Sequence, residues 1–192
     1  MNNEVPPLID YNLYSRRQFH GVPEWADAML CAVGRRLGSA EVIEWGKLAN
    51  ENPPVLRENE IEFHPAWHGL MRIAIENGIH NLPWIDPRPG AHVVRAAMAM
   101  MASQIEAGHL CPISMTYSSM PVIRRDAELE KQWVPKLASR EYGKAALIGM
   151  AMTERQGGSD VRANTTRAEP VGKGDYALHG AKWFCSAPMS DA

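Results

Sequence analysis

Residues 145–160 read Ala145-Ala146-Leu147-Ile148-Gly149-Met150-Ala151-Met152-Thr153-Glu154-Arg155-Gln156-Gly157-Gly158-Ser159-Asp160. The continuous apolar run from Ala145 to Met152 predicts a buried strand, which then feeds a threonine, two glycines and Ser-Asp. Upstream of this stretch the chain carries helical periodicity; downstream it carries turns and short strand-like runs. About 140 residues of helix followed by about 50 of sheet predict an α+β chain. We place a helical N-terminal domain at residues 1–142 and the first part of an antiparallel β domain at 143–192.

Working upstream, the first twenty residues read as irregular, with Pro6-Pro7 and no sustained period. Val22, Trp25, Ala26, Met29, Leu30, Val33 and Leu37 then fall on one helical stripe that stops at Gly38. Ser39 reads as the cap of a second helix through Ala49, and Asn52-Pro53-Pro54 breaks the pattern. Trp67, Leu70, Met71, Ala74 and Ile75 form a third stripe, entered through Pro65 and closed at Asn77-Gly78. The longest helix carries Val94, Ala97, Met98, Met101, Ala102 and Ile105 and ends at Gly108. Residues 113–123 are ambiguous. Residues 127–138 read as a helix with Leu129, Trp133 and Leu137 inward.

Working downstream, Ala163 to Ala168 and Tyr176 to Ser186 read as strands joined by a hairpin turn at Gly172-Lys173-Gly174-Asp175. Trp183 and Phe184 alternate, so one is expected to face the core and the other a ligand. About three strands leave sheet edges and half an apolar face without partners, so the β domain is expected to be cut short.

Composition narrows the function. The chain has 192 residues, 45% hydrophobic and 22% charged, with a formal net charge of -2. That balance gives no general bias toward nucleic acid, and Arg16-Arg17, Arg35-Arg36 and Arg124-Arg125 read as solvated faces rather than phosphate sites. Three widely spaced cysteines argue against a disulfide framework and fit a reducing compartment. No run approaches the ~18 apolar residues of a membrane span. A cytoplasmic protein with no membrane partner is expected.

Taken alone, Gly157-Gly158-Ser159-Asp160 reads as a turn before it reads as a ligand site. It is followed, however, by Thr166-Arg167-Ala168, by Tyr176, Leu178, Gly180 and Lys182, and by Phe184-Cys185-Ser186. This ordered series resembles the acyl-CoA dehydrogenase family through most of residues 90–192. Ala49-Asn50-Glu51-Asn52-Pro53-Pro54, Phe63-His64-Pro65-Ala66-Trp67-His68, His80-Asn81-Leu82-Pro83-Trp84 and Gly108-His109-Leu110-Cys111-Pro112-Ile113 are similar to its AidB-like branch, flavoproteins of the DNA-alkylation response. So is Ser186-Ala187-Pro188-Met189-Ser190-Asp191-Ala192.

The resemblance implies FAD as cofactor and an acyl-CoA-like small molecule as ligand. It assigns the flavin to Met150, Ala151, Met152, Thr153, Gly157, Gly158, Ser159, Phe184, Cys185 and Ser186, with Ser159 also near the substrate region. It implies a homotetrameric oxidoreductase whose proton-abstracting glutamate comes from a C-terminal helical bundle absent from this chain, so no catalytic residue is assigned here. An alternative within the same branch is a non-catalytic DNA-protection flavoprotein, binding DNA only through regions outside these residues. Arg155 and Gln156 stand where most members have proline and glycine, and Ala187 where many have asparagine; bulky Gln156 is expected to bear on substrate access.

Other candidates have plainer readings. His64 and His68 have a zinc-compatible spacing but no third ligand. Met98, Met100, Met101, Met115 and Met120 read mostly as core filler, with an acyl pocket as the other reading. Glu154 reads as a structural salt bridge or cap rather than an acid–base group.

Overall fold

Each apolar stripe becomes a helix where it finds a second stripe to cover it. The computed structural model describes residues 11–19, 21–58 and 60–192; the reading at Pro6-Pro7 lies outside them. The stripe from Val22 is divided: a 3-10 turn at Glu24–Ala26 leads into α1, Asp27–Leu37. Helix α2, Ala40–Glu51, is capped as expected by Ser39, whose side chain accepts from the Val42 N–H. Helix α3, Pro65–Glu76, begins on Pro65, and the His64 ring caps it by accepting from the Ala66 N–H. A short helix α4, Leu82–Ile85, precedes α5, Ala91–Ser103. Helix α5 therefore ends before Gly108, which instead lies in a loop gathered by Glu106.

The ambiguous stretch is helix α6, Leu110–Ile123. Its polar Thr116 and Ser119 are buried because they return their hydroxyls to the Pro112 and Thr116 carbonyls, at 2.8 and 2.7 Å. Helix α7, Ala127–Leu137, starts at Asp126, whose carboxylate accepts from the N–H groups of Glu128 and Leu129. Leu137 is buried there, but Leu129 is 41% exposed and does not face inward.

The main core joins Leu30 and Leu37 of α1 with Leu70, Met71 and Ile75 of α3, Met98 and Met101 of α5, and Ile113. A smaller cluster forms where Met120, Leu137 and Ala146 meet beside Trp84 and Trp133. Met98, Met101, Met115 and Met120 are buried; Met100 is 60% exposed on α5. Among the described residues no helix is long and apolar enough to cross a membrane.

Among the described residues, four short strands form two antiparallel hairpins. Strands β1, Val55–Arg57, and β2, Glu60–Glu62, pair outside the expected β region. Strands β3, Arg167–Gly172, and β4, Asp175–His179, form the expected hairpin, and its residues are almost all exposed. Strand β3 begins later than the expected Ala163, which instead closes a 3-10 turn at Val161–Ala163, and β4 ends at His179, short of the expected Ser186.

The largest departure from expectation is residues 145–152, which form no buried strand and carry an isolated bridge at Met150. Their amide groups find separate partners instead of one ladder. Ala146 N–H reaches the Lys136 carbonyl and Ile148 N–H the Thr116 hydroxyl, both on the helical side. Leu147, Gly149 and Met150 donate to Asp191 Oδ2, the Ala192 carbonyl and the Ser186 carbonyl on the other. The segment is thus a seam between the helices and the C-terminal stretch, and Met152 at its end is 51% exposed.

Candidate functional site

The sequence candidates lie on two segments, 150–159 and 184–186, twenty-five residues apart, and the fold brings them side by side. Met150 and Ser186 exchange both backbone hydrogen bonds, at 3.1 and 2.9 Å, and the Trp183 N–H donates to the Thr153 carbonyl at 2.8 Å. Residues 150–153 and 183–186 therefore run antiparallel as one irregular wall. A groove of about 250 Å³ opens on it, lined by Met150, Ala151, Cys185 and Ser186 together with Gly149 and Pro188. Thr153, Gly157, Gly158 and Ser159 are outside this groove. They occupy the turn at the far end of the wall, closed by a 3.0 Å hydrogen bond from the Gly157 N–H to the Glu154 carbonyl.

Phe184 and Ala187 bracket Ser186 with φ of 56° and 50°, in the left-handed region that a residue with a Cβ enters at a cost of roughly 1–2 kcal/mol. That backbone turns Phe184 outward, 76% exposed, with Trp183 edge-on to it at 6.0 Å. Trp183 is itself 54% exposed, so the expectation that one of the two faces the core does not hold. No local signal in the sequence announces these two conformations.

The two glycines do different work. A Cβ on Gly157 would lie 2.0 Å from Asn164 Oδ1, because the Asn164 amide packs there while donating to the Met152 carbonyl at 2.8 Å. A Cβ on Gly158 would meet only Thr153 Cγ2, at 3.4 Å. Gly157 is required by the chain itself, whereas Gly158 leaves space beside an exposed backbone.

Behind the wall sits Glu154, 2% exposed. Its carboxylate accepts from the Thr165 N–H and hydroxyl (2.7 and 3.1 Å), the Thr166 N–H (2.9 Å), Gln156 Nε2 (2.6 Å) and Lys182 Nζ (2.9 Å). The Thr165 backbone donor first, with the other donors and the Lys182 ammonium, holds the carboxyl far below the usual carboxylate range. The salt-bridge reading of Glu154 is correct, and a group so engaged is unsuited to taking a proton. Gln156 is turned back onto Glu154 and the Ala163 carbonyl, the latter at 3.3 Å, so its amide is committed to the loop rather than to the groove. Lys182, Asn164 and Thr165 build the site although sequence reasoning assigned none of them to it. Only Lys182 carried a signal, its place in the motif series.

A second, mostly apolar cleft of about 350 Å³ lies on the helical side of the same C-terminal stretch. Trp67 and His68 of α3, Cys111 and Pro112 of α6, Leu147 and Met189 line it, with Phe63 stacked on Trp67 at 3.9 Å. His68 hydrogen-bonds Tyr142 through Nδ1 at 2.5 Å, and His64 serves as the α3 cap. Among the described residues no group of three His, Cys, Asp or Glu is placed to hold a metal. One arginine of each pair is engaged in a surface contact: Arg36 with Glu41 at 2.6 Å, Arg124 with Glu130 at 3.6 Å, and Arg16 with Asp27.

Residues 3–144 match the family described as the Adaptive response protein AidB N-terminal domain. AidB of Escherichia coli (strain K12), whose name places it with the acyl-CoA dehydrogenases, is 46% identical over 99% of this chain and 40% of its own length. Among solved structures, Bd2924 in its apo form is similar at a TM-score of 0.76 with 29% identity, over 91% of this chain and 38% of that one. Caenorhabditis elegans ACDH-11, solved in complex with C11-CoA, gives 0.75 with 27% identity over 91% of this chain and 32% of that one. The chain thus spans about 40% of the length of this curated relative.

Proposed function

Because the chain belongs to the AidB N-terminal domain family and has the helical part and small antiparallel sheet of an acyl-CoA dehydrogenase-like fold, we propose that it forms one wall of an FAD site in an AidB-type oxidoreductase. The observation that carries this reading is the pairing of residues 150–153 with 183–186, which sets Met152 and Phe184 as exposed apolar surface on one wall. A flat aromatic ring system suits such a surface. The fit extends to the turn, where Gly158 has no side chain to keep a bulky phosphate at a distance and Ser159 adds an exposed hydroxyl.

When bound, FAD would supply hydride acceptance; everything else asked of this chain is binding and orientation. Met150 to Thr153 and Phe184 to Ser186 would hold the ring, Gly157 to Ser159 the cofactor's polar arm, with Ser159 near the substrate region. The apolar cleft beside Trp67 and Cys111 suits the hydrocarbon part of an acyl-CoA-like ligand. Glu154 is excluded as base by its donors, so the α-proton must leave to a group outside this wall.

The direct test is flavin uptake by the purified full-length protein, read as bound flavin absorption after desalting. Uptake that falls on replacing Ser186 by a bulky residue is the expected result. A correctly folded protein that retains no FAD would end this assignment.

A further inference from the structure

The geometry points to the Glu154–Lys182 pair as the positioning element of the wall, setting residues 150–153 in register against 183–186 so that Phe184 and Ser186 reach a bound flavin. This inference rests on the flavin reading and adds residues that touch no ligand. A carboxylate taken out of water is costly unless donors surround it, and Glu154 collects its donors from three separate stretches: Gln156, Thr165-Thr166 and Lys182. Moving any of these stretches away would leave a buried charge short of partners. The three are therefore locked to one another as a unit.

Lys182 carries the lock across to the second segment. Its ammonium donates to Glu154 at 2.9 Å and also to the Met152 carbonyl at 3.3 Å, and its side chain is only 26% exposed. The next residue, Trp183, donates its N–H to the Thr153 carbonyl at 2.8 Å. Two adjacent residues of one segment thus hold two adjacent carbonyls of the other. In an antiparallel pair a slip of one residue sends every side chain to the opposite face, so this clamp decides which face carries Phe184. Backbone pairing alone is weak here, with just the Met150–Ser186 bridge beyond the clamp.

The test compares wild-type, K182M and K182R full-length proteins, each loaded with FAD, by flavin dissociation rate and by the visible circular dichroism of the bound flavin. Leu30→Ala, a truncation within the helical core on α1 and 0% exposed, controls for general loss of stability. K182M should release flavin about tenfold faster or more, as expected for losing a charge-assisted contact, and alter the dichroic band. K182R should stay within about threefold of wild type, since it keeps the charge and donors. L30A should lower the melting temperature with little effect on release. A K182M protein matching wild type in both rate and dichroism would overturn the positioning role, as would L30A accelerating release equally. Wild-type protein that takes up no flavin would overturn the flavin reading itself, a separate and recognisable outcome.

Discussion

Alanine at Gly157 and at Gly158 should have opposite consequences although the two positions are adjacent. At Gly157 the new Cβ lies 2.0 Å from Asn164 Oδ1 and 3.1 Å from its backbone nitrogen, so the side chain and its loop must both move. Displacing Asn164 forfeits its 2.8 Å hydrogen bond to the Met152 carbonyl, worth about 1 kcal/mol net. Forcing a methyl into an occupied site adds roughly 1–3 kcal/mol. The expected loss is about 2–4 kcal/mol, which for a chain of this size lowers the melting temperature by roughly 5–15 °C. At Gly158 the Cβ meets Thr153 Cγ2 at ordinary contact distance, and φ there is not in the left-handed region. Restricting the unfolded chain should even stabilise G158A by several tenths of a kcal/mol. If flavin phosphate approaches this backbone, the same methyl should weaken FAD binding about tenfold or more. Thermal melts of the apo proteins and FAD titrations separate the two effects. The reasoning is wrong if G157A melts like wild type, or if G158A loses stability to the same degree.

Three further outcomes follow from the helical part. Burial drives His80 down to about 4 from an ordinary 6.5, so the folded state binds fewer protons than the unfolded one between these values. Stability should be complete above about pH 6.5 and fall by up to roughly 3 kcal/mol as pH drops toward 4; urea midpoints across that range should show the slope, and His80→Asn should flatten it. Gly46→Ala places a Cβ 2.5 Å from the Ile105 carbonyl, so crowding of about 1–3 kcal/mol outweighs the ~1 kcal/mol helix gain and the melting temperature should fall. Asp126→Ala removes the α7 cap and should cost about 1 kcal/mol in chemical denaturation.

Helices α1, α2, α3 and α5 were legible in the sequence because their signals are local. An apolar stripe, Ser39 at a cap and Pro65 at a first turn are properties of neighbours along the chain. The β3–β4 hairpin was legible for the same reason, through its turn residues at Gly172 to Asp175. Helix α6 was not, since its buried Thr116 and Ser119 blur the stripe and are satisfied only after the helix forms. Residues 145–152 look like a strand by composition, but a strand exists by its partners, and these amides are divided between Lys136, Thr116 and residues 186–192. The motif around Gly157-Gly158 marked the wall without revealing its construction. Tertiary structure decided that Gly157 makes room for Asn164 while Gly158 stays open, and that Glu154 binds Lys182, twenty-eight residues away. Long-range donors gathered around one buried charge leave no period in a sequence; only the folded chain brings them within reach.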